Sequence, residues 1–268
     1  MSIEVSDKVS FRRLDKDALC VIQTDHIHPE KLTMKKLLKK IKTGMVIAIS
    51  LLGAGTSYAG PIGNPTAQMP SQKMALGPQL DVFSQDFESN GVRVTGSGNR
   101  LLMNVRYGMN RNVELLSNIG FSKEDISFVG VDYSGNYGMA FELGAKMTFL
   151  ELKQNYSKLG GGAKILLARS SIDIAPGQSF DADWREFGIF GGFSFETQSD
   201  MIPYFGLQLT KTSNQLRDLP GQPADFDQKT MGGIFGGVDF KLWKSTSTNL
   251  EIRLINEISA TLTLSIPL

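Results

Sequence analysis

Few groups in this chain could do chemistry, and the usual ones sit at its start. Cys20, His26 and His28 are the only thiol and the only imidazoles in the 268 residues. A base that takes a proton near neutral pH is most simply an imidazole, and nothing after residue 28 supplies one. Lys164 with Ser170 is formally a Ser–Lys couple, but packing inside a fold is the better reading of both. Gly160-Gly161-Gly162-Ala163-Lys164 has the glycines of a phosphate loop, yet Ile165 stands where Ser or Thr should follow and no helical period comes after. A strand start fits better. Gly96-Ser97-Gly98 reads as a loop. Asp181, Asp183, Asp225 and Asp227 form two Asp-x-Asp pairs, too few oxygens for a firm calcium site, so solvated acidic loops are expected. No enzyme activity, metal or cofactor is expected.

What remains is a set of ionisable residues that recur opposite apolar ones: Arg106, Glu114, Glu142, Lys146, Lys164, Glu186, Asp239, Lys241, Glu251 and Arg253, with Asp81 in the same phase. Both signs are mixed, so they suit a network of paired charges along a narrow interior. Glu142 with Lys146, and Glu251 with Arg253, are the expected pairs.

The chain must be divided before those residues can be placed. Met34 opens a secretory signal: Lys35, Lys36, Lys39, Lys40 and Lys42 form the basic region, Met45 to Ala54 the apolar region, and Ser57-Tyr58-Ala59 the small residues before a cut. Gly60 is the expected first mature residue. An uncleaved anchor is the alternative, but about ten apolar residues fall short of the roughly 20 a spanning helix needs. Residues 1–33 read as an extension ahead of the true initiator, or else as an extended leader. Residues 60–268 then carry 18 Lys+Arg against 21 Asp+Glu, and 25 of the 28 Gly. The overall net charge of +1 gives no pull on nucleic acid.

Residues 60–72, rich in Pro, Gly and polar groups, are expected to be flexible. From 73 to 268 a period of two recurs. Met139, Phe141, Leu143, Ala145, Met147 and Phe149 alternate with Glu142, Gly144, Lys146 and Thr148, and Phe187, Ile189, Phe193 and Phe195 with Glu186, Gly188, Gly192 and Ser194. About ten such runs appear, each long enough to cross a bilayer when tilted; eight is the alternative count. Short links fall at Gly108–Asn112, Thr197–Met201 and Lys244–Thr248. Longer polar ones fall near Gln85–Gly98, Ser122–Asn136, Asp173–Asp183 and Asn214–Gln228. Lys153–Gly160 and Asn256–Ser259 break that alternation of lengths. Gly188-Ile189-Phe190-Gly191-Gly192 is echoed by Gly233-Ile234-Phe235-Gly236-Gly237, which places Phe190 and Phe235 in interior space left by glycines.

Alternation alone does not say which face is inside. Export, mixed interior charge and a final strand reaching Leu268 favour apolar side chains facing lipid. Together these features resemble the small bacterial outer-membrane β-barrels, the OmpA-like and opacity-protein group, in architecture over about 74–268. The resemblance implies an all-β, antiparallel, up-and-down transmembrane barrel in the outer membrane, inserted by the barrel-assembly machinery. That group usually ends in Phe, and this chain ends Ile266-Pro267-Leu268. Tyr107, Phe121, Tyr137, Phe149 and Phe205 are expected in an aromatic girdle; Trp184 and Trp243 fall in the polar phase. Related outer-membrane enzymes use a catalytic His, which residues 60–268 lack. The expected role is structural or surface-interacting, through the outer loops and an extracellular partner. A narrow channel for small solutes and a soluble periplasmic ligand barrel are the alternatives.

Overall fold

The inside-out pattern is plainest where the period of two is plainest. In the computed structural model Met139, Phe141, Leu143 and Met147 are exposed, while Glu142 and Lys146 between them are 2% and 3% exposed. Leu80, Leu101, Ile119, Phe121, Ile165, Phe187, Leu207 and Leu262 on other strands are exposed likewise. The model describes residues 61–268 except 90–91, 129–130, 153–155, 176–177, 198–199, 218–223, 229–230, 243–245 and 256. The expected leader, residues 1–59, lies outside the described residues, as do Gly60 and Trp243.

The strands are β1 (Met74–Ser89), β2 (Val92–Asn110), β3 (Val113–Phe128), the short β4 (Val131–Tyr133) and β5 (Gly135–Asn136), β6 (Gly138–Leu152), β7 (Ser157–Ala175), β8 (Gln178–Phe195), β9 (Met201–Arg217), the short β10 (Ala224–Gln228), β11 (Gly232–Lys241), β12 (Ser247–Leu254) and β13 (Ile258–Pro267). Ten of them close an antiparallel ring in the order β1-β2-β3-β6-β7-β8-β9-β11-β12-β13, with β13 returning to β1 through Ala75↔Pro267 and Leu80↔Leu262. Closure leaves no edge, so every wall strand has two hydrogen-bonded neighbours, as hydrocarbon demands. The near end of the barrel holds the start of β1 and the C-terminus, where Leu268 N donates to Met74 O at 2.9 Å.

The ring changes size along its axis. The β12–β13 hairpin is short, and beyond it β10 reaches from β9 across to β1, pairing Ala224↔Leu216 on one side and Phe87↔Gln228 on the other. The segment β4–β5 likewise bridges β3 to β7 through Ile126↔Tyr133 and Gly135↔Ile172. The far end is therefore a ring of about eight strands standing on a ring of ten. At eight strands an interior is just wide enough for side chains to fill it. Here it is filled by Phe83, Phe87, Leu102, Leu166 and Trp184 in one cluster, and by Val94, Ile126, Ile172, Phe180 and Leu216 in a second above it.

This corrects the long-loop reading. The stretches Gln85–Gly98, Ser122–Asn136, Asp173–Asp183 and Asn214–Gln228 are largely strand: the β1–β2 ladder runs to Ser89↔Val92, and β7–β8 to Ala175↔Gln178. Above the lipid the outer face meets water and turns polar while the inner face turns apolar, so the outward apolar signal ends although the ladder does not. Lys153–Gly160 is also shorter than expected, because β7 begins at Ser157 and takes in the three glycines.

Residues 61–69, part of the segment expected to be flexible, pack inside the ring, while 70–72 are exposed. Ile62, Asn64, Thr66, Ala67 and Met69 are buried inside the near half of the ring. Their backbone is held by wall side chains: Ile62 N donates to Glu251 Oε1 at 2.9 Å, Ala67 N to Thr148 Oγ1 at 3.1 Å, and Gln68 N and Met69 N to Glu114 Oε2 at 2.7 and 3.0 Å. A polar, proline-rich segment that looks unable to pack alone finds hydrogen-bond partners in a polar lumen.

The expected filling of glycine-made space is present. Phe190 and Phe235 point inward, meet edge to face with centroids 6.4 Å apart, and enclose Ile62 with Tyr204. Gly206 lies under Phe235, and a Cβ there would sit 2.3 Å from Gly191 O and 2.5 Å from Phe235 Cζ. Gly206→Ala should cost about 1–3 kcal/mol by overpacking, read as a lower urea midpoint. An unchanged midpoint would show that the ring moves aside freely.

Candidate functional site: a filled ionic lumen

Alternation puts one side chain in every two of each wall strand on the axis, so ten strands bring many polar groups to one narrow space. At the near level Glu114 on β3 is fully buried. Its Oε1 accepts from Arg106 Nε on β2 at 2.6 Å and lies 3.2 Å from Lys146 Nζ on β6. Lys146 Nζ also donates to the carbonyl of Asn64 at 3.0 Å. Asn64 Nδ2 and Asn249 Nδ2 donate to the two oxygens of Asp239, at 2.9 and 2.7 Å.

At the middle level Lys164 Nζ lies 3.0 Å from Glu186 Oε1 and 3.8 Å from Glu142 Oε2. Asn118 Nδ2 donates to Glu142 Oε1 at 2.6 Å. Arg253 on β12 is the hub one step further along. Its guanidinium nitrogens stand 3.1 Å from each of Asp81, Glu251 and Glu257, and all four side chains are fully buried. Glu251 in turn accepts from Tyr204 Oη at 3.1 Å. Arg100 marks the boundary with the apolar far end. One nitrogen lies 3.5 Å from Asp81, and the guanidinium stacks 4.0 Å from the Phe83 centroid and 5.5 Å from that of Trp184. Such stacking suits the flat, weakly hydrated guanidinium.

Of the residues expected on the axis, Glu114, Glu142, Lys146, Lys164, Glu186, Glu251 and Arg253 lie in this network. Arg106 and Asp239 are half-buried members at its near rim. Lys241 is exposed at the near end of β11 and stands outside it. Glu251 and Arg253 do pair. Glu142 and Lys146 share a face, but four residues along a strand is roughly 13 Å, and each takes a cross-strand partner instead. Arg100, Glu124 and Glu257 are not among the expected residues: Glu124 and Glu257 fall in segments that read as connections, and Arg100 falls between the connection ending at Gly98 and the run that starts at Leu101.

Among the described residues seven carboxylates are at most 2% exposed inside the barrel: Asp81, Glu114, Glu124, Glu142, Glu186, Glu251 and Glu257. Only four cations, Arg100, Lys146, Lys164 and Arg253, are as deeply placed (at most 4%). Between the 61–64 segment and the wall remains a cavity of about 30 Å³, lined by Pro61, Asn104, Asn118, Glu142, Lys146 and neighbours. That is room for a water or two.

The girdle residues Tyr107, Phe121, Tyr137, Phe149 and Phe205 are all exposed on the outer face. Trp184 is interior, 1% exposed, with its ring edge to face against Phe87 at 5.1 Å. Asp181 pairs with Arg169, and Asp183 with Arg169 and Arg217 at 3.6 and 2.6 Å, so arginines flank the first of the two Asp-x-Asp pairs; in the second, Asp225 accepts from Gln215 Nε2 at 2.9 Å. Among the described residues no group of three or more His, Cys, Asp or Glu side chains is arranged to hold a metal ion.

A lipid-facing apolar wall around an ionic axis makes the chain a transmembrane β-barrel of the outer-membrane type. No family model and no curated protein matches the sequence. Among solved structures it is similar to the translocator domain of the autotransporter NalP from Neisseria meningitidis, with 10% identity, 87% of this chain and 96% of that one covered, and a TM-score of 0.43. It is also similar to the outer-membrane protease OmpT from Escherichia coli (9% identity, 73% and 94% covered, TM-score 0.40). A third is the attachment invasion locus protein Ail of Yersinia pestis, solved with a heparin analogue (11% identity, 74% and 98% covered, TM-score 0.38). Likenesses this distant carry no argument about activity or partner, and the assignment as a membrane barrel rests on the side-chain distribution itself.

Proposed function

We propose that this chain is a solute-tight outer-membrane barrel that works as a non-enzymatic scaffold, holding its far-end extension outside the cell as a surface for a binding partner. Its apolar wall is the face for membrane lipid, and its terminal strand β13 is the part offered to the barrel-assembly machinery. The observation that carries this is closure at successive levels. The 61–69 segment fills the near lumen, the Arg253 and Lys164 clusters bridge the middle, and two apolar clusters fill the far ring. An ion would have to cross both a desolvated charge network and a hydrophobic core. The exposed apolar belt also tells against a soluble ligand barrel, which would place those side chains inside.

The far-end extension has the stiffness a binding surface needs, because its hairpins are laddered strands over a core. The purified barrel, reconstituted in planar bilayers, should stay silent under an applied potential of about 100 mV. Steady single-channel steps would overturn the scaffold reading in favour of a narrow channel.

A further inference from the structure

The outer wall is not the same all round. On β3, β7, β8 and β9 the first outward side chain past the apolar run, toward the far end, is a cation: Lys123 after Phe121, Arg169 after Leu167, Arg185 ahead of Phe187 and Lys211 after Leu209. On β2 and β11 the same place holds Asn99 and Gly232. Two of the four cations are engaged, Lys123 with Asp125 at 3.4 Å and Arg169 with Asp181 and Asp183. Arg185 and Lys211 are exposed, and among the described residues neither has a carboxylate within ion-pair distance. Asp183, the next outward residue beyond Arg185, is held by Arg169 and Arg217. Phe187 lies opposite Lys211, and Arg185 opposite Ser213. The two cations are therefore diagonal neighbours on one face, about 7–8 Å apart at the backbone.

Directly below this pair a groove of about 620 Å³ opens in the apolar belt, from Phe187 to Tyr107 near the turn end of β2. The small residues Ser117, Gly144 and Ala163 leave it open between Leu115, Leu143 and Ile165. Phe187, Ile165, Leu143, Ser117 and Val105 stand opposite one another in turn from β8 to β2. Those four strand spacings span about 19 Å, against about 15 Å for the hydrocarbon of one leaflet. We propose that Arg185 and Lys211 bind the phosphate of a phosphorylated membrane lipid, in the leaflet that meets the far end, and that its acyl chain lies in the groove from Phe187 toward Tyr107. A phosphate has oxygens enough to accept from a guanidinium fork and an ammonium together. Burial of the chain adds an attraction that a free anion lacks. The site rests on the lipid-facing wall and not on a closed lumen, so single-channel steps in a planar bilayer would leave it standing.

The test titrates the whole barrel, purified in non-ionic detergent, with defined lipids and reads the adducts by native mass spectrometry. Dimyristoyl phosphatidic acid should bind at least tenfold more tightly than dimyristoyl phosphatidylcholine, which has the same chains and no net charge. Inorganic phosphate in large excess should not displace it. Arg185→Gln with Lys211→Gln should abolish the preference, while Lys241→Gln, at an exposed cation of the near end, should keep it. Heat-modifiable gel mobility shows that each variant is folded. Should the double variant fail to fold, Ala163→Phe carries the test: by filling the groove it should weaken dimyristoyl phosphatidic acid several-fold and leave the dihexanoyl form unchanged. Equal binding of the two dimyristoyl lipids, an unchanged preference in the double variant, displacement by inorganic phosphate, or an Ala163→Phe barrel that binds as before would each overturn the proposal.

Discussion

Arg253→Met is expected to cost the barrel about 3–5 kcal/mol of unfolding free energy. The guanidinium stands 3.1 Å from Asp81, Glu251 and Glu257, and none of the four side chains has measurable exposure. Methionine can fill much of the volume but leaves three carboxylates facing one another in a site without bulk water. Removing one partner of a buried ionic cluster is costlier than removing the whole cluster. Arg253→Met with Glu257→Gln should therefore recover part of the loss. Arg253→Lys should fall between, because one ammonium cannot present separate nitrogens in three fixed directions. Urea titration of the barrel in lipid vesicles, read by heat-modifiable mobility, measures all three. An Arg253→Met barrel within about 0.5 kcal/mol of wild type would mean that water reaches this level of the lumen.

The same interior shows what a sequence of this kind reveals and what it hides. The outward faces were legible because lipid imposes one rule on every strand: Leu80 and Val82, Phe121, Ile165 and Leu167, Phe187 and Ile189 all keep the parity that points away from the axis. Above the lipid the rule reverses. The apolar parity switches from Val82 to Phe83 in β1, from Phe121 to Ile126 in β3, from Leu167 to Ile172 in β7, and from Phe187 back to Trp184 in β8. A switch of parity looks like a loss of periodicity, and so these strands read as loops. It is a readable signal once sought: apolar residues of the opposite phase, continuing the same ladder, mark where the wall leaves the membrane. Trp184 in the polar phase was an instance of it rather than a displaced girdle residue.

The plug was hidden for a different reason. Ile62, Asn64 and Thr66 have no period of their own, since an extended segment inside a barrel takes its hydrogen bonds from whichever wall side chains lie at each level. Glu114 offers both oxygens, one to the wall cations and one to the backbone of Gln68 and Met69. Expected alone, it looked like half of a salt bridge; in place, it joins wall and plug. Pairing across the lumen depends on strand stagger, and the sequence holds that stagger only in the lengths of its turns.

Trp184→Ala should be the other severe change, at about 3–5 kcal/mol, and it tests the far-end closure as Arg253→Met tests the middle. The indole fills the base of the eight-stranded ring, edge to face with Phe87 at 5.1 Å and beside the Arg100 guanidinium at 5.5 Å. Truncation leaves a cavity in a rigid, doubly laddered ring that cannot collapse to fill it. It also strips one aromatic face from a buried cation whose contact to Asp81 is a long 3.5 Å. Trp184→Phe keeps an aromatic edge for Phe87 and should lose less than half as much. The lost near-ultraviolet dichroism and the urea midpoint report the effect together. If Trp184→Ala left both unchanged, the far ring would be held by its backbone ladders alone. The apolar clusters would then be filling rather than core, and the scaffold would owe its rigidity to β10 and β4–β5 bridging the rim.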